Sequence, residues 1–370
     1  MGLLVNKKTI YFTSHIPTRF IKTDMRKILY TLAVLAMIMA SCTQDNLETE
    51  QEDNRTFIVS AAMPETNDDA QTRVSLTPNA ESGYYGLDLK WEEDDKLMLC
   101  FEQDGTYYHN DAPIVASTIS DDGKTAQFAI TVPSEISANA TFDCEVVYQK
   151  PNSYGGANSN GGFFESVDGV SKFKLVNRAD QGVTLDKPGS TQSGIMRPMV
   201  YDYKKGITKN GFGNINLKHS GWVMALHFKN TSSSSKQLPA WIIMSDLNEK
   251  GWTWNGRFSY NASFFEVSTH SFSNTGNKLY SELRFRIAES DWMPFYGKEI
   301  LSGNEVIFYR WVTSLPSVPK LRGELSIGGD IVNASTETFL DPKTVEIGKV
   351  YHVYTTWNGT EFEFSPSTTP

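Results

Sequence analysis

The sequence predicts an all-β chain, and three observations carry that expectation. Apolar and polar residues alternate over short runs, aromatic side chains are frequent (21 Phe, 16 Tyr, 8 Trp), and a helical period is hard to find. Alternation with a period of two puts one apolar face on a half-buried strand. Flat and β-branched side chains suit that pleated surface. Such runs recur with turn residues between them, which reads as a β-sandwich in each half of the chain.

Before the strands come segments with other roles. Met25-Arg26-Lys27 and the apolar run Ile28 to Met39, ending at Ala40-Ser41-Cys42, form a basic and then hydrophobic export signal over residues 25–41. The run is shorter than the roughly 20 residues a spanning helix needs. Small residues before Cys42 resemble a bacterial lipobox, at which the thiol would be lipidated and become the mature N-terminus. Residues 1–24 do not fit an export signal and read as an upstream extension, with translation starting at Met25. Residues 42–54 are polar and acidic, with Leu47 the one aliphatic side chain, and read as a tether that cannot bury a core.

The folded part starts with a strand at Thr56 to Ala62 and a second at Arg73 to Leu76. In Thr72 to Phe101, Leu87, Leu89 and Trp91 alternate with Asp88 and Lys90, and Leu97, Leu99 and Phe101 resume the alternation after Glu92-Glu93-Asp94-Asp95. Four adjacent acids predict a solvated turn. Asp104-Gly105 and Asp122-Gly123 are hairpin signals, since both dipeptides tolerate positive φ. Phe142 to Tyr148 is a further strand, and Pro151 to Gly162 has the composition of a loop. Gly194 to Tyr201 would be the last strand of a first domain spanning 55–210, with Lys204 to Gly213 as the boundary. A second domain, 211–370, would open with Trp222, Met224, Leu226 and Phe228 on one strand face. Strands at Trp241 to Met244, Leu279 to Ile287, Val306 to Val312, Leu321 to Ile327, Val350 to Thr355 and Glu361 to Phe364 would complete it.

Charge and motifs exclude several functions. The chain carries 34 basic and 43 acidic residues, and because residues 1–41 hold six of the basic side chains, the rest is more acidic still. Nucleic-acid binding needs clustered Lys and Arg, so no nucleic-acid partner is expected. His15, His109, His219, His227, His270 and His352 show no metal-ligand spacing, and neither His-Glu-x-x-His nor Gly-x-Ser-x-Gly occurs. His227 alternates with its strand's apolar face, as a partly exposed or second-face residue would. Asp246 to Gly251 starts like a calcium loop, but Lys250 and Arg257 stand where oxygen ligands are required. No catalytic residue, metal site or cofactor is therefore expected. Cys100 and Cys144 lie on predicted strands and read either as a disulfide or as two buried thiols. Trp252 and Trp254 would point the same way on a strand, either into a core or outward to stack on sugar rings.

Several short motifs, taken in order, resemble one family. They are Thr72-Arg73-Val74-Ser75-Leu76, Leu89-Lys90-Trp91 with Asp95-Lys96-Leu97, Met196 to Tyr201, Leu217-Lys218-His219, and Gly348-Lys349-Val350-Tyr351. Together with the lipobox they resemble the fimbrillin-like lipoproteins of Bacteroidota, which include type V pilus subunits and Mfa-like cell-surface adhesion proteins. The acidic run after Cys42 is also similar to a surface-export signal of such lipoproteins. This resemblance implies two tandem transthyretin-like β-sandwiches, no cofactor, and a surface-exposed lipoprotein of the cell outer membrane or fimbrium. It implies an outer-membrane anchor and partners among other fimbrial subunits joined by strand exchange, with host or bacterial surface glycans or proteins as further partners. Arg73 is the candidate point of proteolytic maturation, since a cut there would free strand Thr56 to Ala62 and expose a sheet edge. Little sequence follows Phe364, which suits an anchor, tip or accessory subunit as well as a stalk. The alternative is a surface glycan-binding lipoprotein using Trp252 and Trp254.

Overall fold

The computed structural model describes residues 55–64, 89–137, 139–149, 162–175, 183–184, 199–208, 211–254, 263–274, 278–291, 295–313, 315–336 and 340–364. The export signal, Cys42, the tether, Arg73, Thr72 to Asp88, Arg257 and the loop at 151–161 lie outside them. Asp53–Pro370 forms one compact unit, and all described residues belong to it.

Up to residue 207 the strands are β1 (Thr56–Ala62), β2 (Lys96–Gln103), β3 (Thr106–Val115), β4 (Thr125–Thr131), β5 (Phe142–Gln149), β6 (Phe163–Val167), β7 (Val170–Leu175), β8 (Val183–Thr184) and β9 (Met199–Ile207). Then come β10 (Ile215–Asn216), β11 (Lys218–His219), β12 (Trp222–Asn230), β13 (Lys236–Gln237), β14 (Trp241–Asp246), β15 (Ser263–Glu266), β16 (Ser271–Asn274) and β17 (Glu282–Arg286). The last are β18 (Glu299–Ile300), β19 (Glu305–Val312), β20 (Ser317–Val318), β21 (Leu321–Ile327), β22 (Asp330–Asn333), β23 (Lys343–Thr344), β24 (Val350–Trp357) and β25 (Phe362–Phe364). Among the described residues there is no α-helix. The chain is all-β, as the alternation predicts.

An eight-stranded sheet runs β10-β1-β4-β3-β2-β5-β9-β11, and a five-stranded sheet runs β25-β24-β12-β19-β8. Two four-stranded sheets run β17-β14-β21-β22 and β16-β15-β7-β6. Several pairings join residues far apart in sequence. The β15–β16 hairpin adds to β7, with Phe265 opposite Phe173, and β8 adds to β19, with Val183 opposite Tyr309. β9 also continues through Ile207, into the start of the expected boundary segment Lys204 to Gly213, because its ladder with β5 reaches Phe142 opposite Ile207.

Two apolar cores follow from these strands. β12 is buried on both faces: Trp222, Met224, Leu226 and Phe228 enter one core with β14, β17, β21 and β24. Val223 and Ala225 enter the other with the eight-stranded sheet, Phe265 and Val267. β2 is likewise buried on both faces, with Leu97, Leu99 and Phe101 on one and Met98 and Cys100 on the other.

The Asp104-Gly105 hairpin forms as expected, with φ of 52° and 77° at its two central residues and Gln103 opposite Thr106. That conformation is the tight turn whose twist matches the strands it joins. The expected solvation of the acidic turn holds for Glu93 and Asp94 but fails for Asp95, which is 3 % exposed. Its Oδ2 accepts the Glu92 N–H at 2.8 Å, and its Oδ1 accepts the Tyr148 hydroxyl at 2.9 Å. The Trp91 ring sits edge-on to Phe128 at 4.8 Å and to Tyr148 at 4.9 Å. One acid is thus withdrawn from the turn to fasten the segment that carries Trp91. Trp91→Ala should cost about 3–5 kcal/mol of unfolding free energy through cavity formation. Tyr148→Phe should cost roughly 1–2 kcal/mol by removing one hydrogen bond to a buried carboxyl group. Urea titration of both variants checks this, and a loss well under 1 kcal/mol for Trp91→Ala contradicts the assigned packing.

Candidate functional site

The sequence candidates are mostly structural where they are described. Trp252 is 1 % exposed and its indole N–H donates to the Ser281 carbonyl at 2.9 Å. It belongs to the second core and offers no face to a sugar ring. Trp254 is half-buried beside it in sequence. Asp246 is buried and accepts the Asn248 and Lys250 amides at 2.9 and 3.1 Å, so it closes a turn instead of opening a calcium loop. Among the described residues no group of three His, Cys, Asp or Glu side chains is placed to hold a metal ion.

Cys100 and Cys144 are both free and buried. Register explains why: Cys144 stands opposite Phe101, and Cys100 stands opposite Glu145. Successive strand side chains point to opposite faces, so the two thiols project away from each other and the disulfide alternative falls.

Two polar clusters escaped the sequence reading. The first is a row on one face of the eight-stranded sheet, where His109 of β3, Cys100 of β2, Glu145 of β5 and Tyr203 of β9 are successive cross-strand partners. β7 covers the row, with Ser171 Oγ 2.8 Å from His109 Nε2 and also beside the Cys100 thiol. The β15–β16 turn covers its other end, with the Ser268 N–H donating to Glu145 Oε1 at 3.3 Å. Cys, His and Glu in a row resemble nucleophile chemistry, but the electrostatics oppose it. Burial pushes the Cys100 thiol up to about 12, and burial lowers the His109 imidazole. A protonated, inaccessible thiol is not a nucleophile. Glu145 is the group able to titrate near neutrality: burial, with smaller contributions from Glu266 and Glu102, holds its carboxyl at about 7. Part of this row was readable, since a two-residue turn at Asp104-Gly105 fixes Cys100 opposite His109. The cover supplied by β7 and β15 carries no local signal.

The second cluster lies on the opposite face of β12 from Trp222. The His227 ring N–H at Nδ1 faces Glu305 Oε1 at 2.8 Å, and its Nε2 faces His352 Nδ1 at 2.8 Å. Tyr354 stacks on His227 with ring centroids 4.2 Å apart. When Nδ1 donates to the carboxylate, Nε2 is left as acceptor for the His352 N–H. His227 is thus a second-face residue, as expected, but at 4 % exposure it is buried and not partly exposed. Burial, then the neighbouring His227, lowers the His352 imidazole to about 4.

The sign of this shift fixes a pH response. A basic group depressed in the fold contributes fully above its unfolded value of about 6.5, and that stability is lost as pH falls toward 4. His352→Gln should therefore flatten the acid limb of the stability profile by about 1.4 kcal/mol per pH unit between pH 6.5 and 4. Urea midpoints at pH 7, 6 and 5 check this, and parallel profiles for variant and wild type contradict it.

No protein-family model matches the chain, and no curated protein matches it. Solved structures do. A candidate cell adhesion protein from Bacteroides ovatus is 13 % identical, with a TM-score of 0.41, covering 84 % of this chain and 95 % of its own. A candidate cell adhesion protein from Bacteroides fragilis is 11 % identical, with a TM-score of 0.40, covering 85 % and 98 %. The tip fimbrial protein Mfa3 from Porphyromonas gingivalis, truncated at its C-terminus, is 10 % identical, with a TM-score of 0.31, covering 84 % and 97 %.

Proposed function

We propose that this chain is a cell-surface adhesive or fimbrial subunit, built as two successive β-sandwiches, whose precursor is a lipoprotein delivered to the outer membrane through Cys42. The observation that carries the reading is the Trp91 to Leu97 segment. These residues belong to the fimbrillin-like motif in the sequence, and in the fold Trp91 and Leu97 are core residues while Asp95 fastens the turn between them. The motif is therefore a construction element, as expected for a protein whose work is to build and present a surface. The deep burial of Trp252 takes that side chain out of the glycan-binding alternative, which leaves it the half-buried Trp254.

Assembly by strand exchange, with Arg73 as the maturation site, is part of the same proposal. β1 makes a full antiparallel ladder with β4, from Thr56 opposite Thr131 to Ala62 opposite Thr125. Its loss would leave the β4 edge as a row of unpaired backbone groups that another strand could fill. Mass spectrometry of protein extracted from the cell surface tests both steps. A lipid-modified N-terminus at Cys42, replaced after maturation by one at Val74, is expected; a mature form beginning only at Cys42 contradicts the cleavage. Cys42→Ala should abolish palmitate labelling of the precursor and its recovery in the outer-membrane fraction. Cells without the protein should lose surface filaments or adherence, and unchanged filaments and adherence would contradict the function.

A further inference from the structure

We propose that Glu145 is a proton-operated latch between the eight-stranded sheet and the tip of the β15–β16 hairpin: protonated, it holds the tip down, and ionised, it drives the tip off. The geometry is that of a polar group enclosed by the hairpin. Glu145 is 7 % exposed, its Oε1 accepts the Ser268 N–H at 3.3 Å, and its Oε2 is buried with no hydrogen-bond partner. A protonated carboxyl keeps an acceptor oxygen for that amide and buries only a neutral O–H. An ionised one buries a charge, which is far costlier.

The surroundings of Glu145 decide which form is favoured. β2 presents Cys100 and Glu102, β3 presents Tyr107 and His109, and β9 presents Tyr203. On its own strand stands Asp143, bound to the Tyr203 hydroxyl at 2.6 Å. β7 brings Ser171 and Lys172, and the hairpin brings Glu266, Ser268 and His270. Lys172 lies 3.6 Å from Glu266, so its charge is already shared. Ionising Glu145 therefore places a negative charge where Glu266 and Glu102 already oppose it. Charge would strengthen the Ser268 bond, yet burial outweighs that gain, which is why the carboxyl titrates at about 7 and not near 4.5.

Relief requires water, and the hairpin tip is the part able to admit it. Val267 is buried, whereas Ser268, Thr269 and His270 are exposed, and His270 has a left-handed φ of 54°. The tip rests on the sheet through Ser268 and through the His270 ring, 5.0 Å from that of Tyr201. The β15–β7 ladder behind it is backbone-bonded and does not need to open.

The sign follows from linkage. A carboxyl at about 7 when docked and at its ordinary 4.5 when hydrated favours docking most strongly below pH 4.5. Docking weakens by up to about tenfold per pH unit between those values and levels off above 7. Hydrogen exchange of the full chain from pH 4.5 to 8.5, corrected for intrinsic rates, reads this out. Protection at 267–271 should fall at least tenfold between pH 5 and 7 in the wild type and stay flat in Glu145→Gln, and at every pH these amides should exchange faster than those of β24. Glu266→Gln should move the midpoint to lower pH, which keeps the proposal testable even if Glu145→Gln folds poorly. A flat wild-type profile, an unchanged midpoint in Glu266→Gln, a sloping Glu145→Gln profile, or tip amides that exchange no faster than those of β24 would each overturn the latch.

Discussion

The pairing of the β15–β16 hairpin with β7 is the constraint on which the rest of the fold depends. Through β15 the hairpin at 263–274 pairs with strand 170–175, so one four-stranded sheet is built from both halves of the sequence. Phe265 packs on Tyr201 of the eight-stranded sheet at 4.9 Å, and Phe272 lies 6.3 Å from Trp311 of the five-stranded sheet. The first core therefore does not stop at the residues of the first half. It continues through the hairpin to Val223, Ala225, Tyr309 and Trp311, while the other faces of those same strands form the second core.

Sharing strands in this way encloses polar groups that an isolated sheet would leave in water. Glu145, Cys100, His109 and Ser171 sit where the hybrid sheet covers the eight-stranded one. His227, His352 and Glu305 sit on the face of the five-stranded sheet that joins the first core. The two sites respond to pH in opposite senses: a buried acid is destabilising when ionised and a buried histidine when protonated. Stability of the joined structure should therefore be bounded on both sides, by His352 in acid and by Glu145 toward neutrality. Asp95 is a different case. It is buried with donors from Glu92 and Tyr148, and a carboxyl satisfied in this way fixes a turn.

Local order was legible in the sequence and long-range order was not. Strands β1, β2, β12, β14, β19, β21 and β24 follow from alternation, and the turn at Asp104-Gly105 follows from its dipeptide. Asp168-Gly169 carries the same signal, with φ of 53° and 80°, and announces the β6–β7 hairpin that the strand reading passed over. What pairs with β7 has no local trace, because β15 lies some ninety residues on and period-two patterning specifies a face without its partner. Asp95 was misread for a related reason, since its donor Tyr148 is on another strand. Trp252 and Trp254 were readable as a pair, but burial of the first is decided by Ser281 and the second core, which spacing does not encode.

The most direct test of the shared-sheet account is native-state hydrogen exchange at pH 6, comparing the slowest amides of β5 and β24. If the hairpin joins the two cores, both strands open with the same free energy in the wild type, and Phe265→Ala separates them by lowering β5 first. Strands β5 and β24 that already open independently in the wild type, or a Phe265→Ala variant that leaves both unchanged, would contradict it.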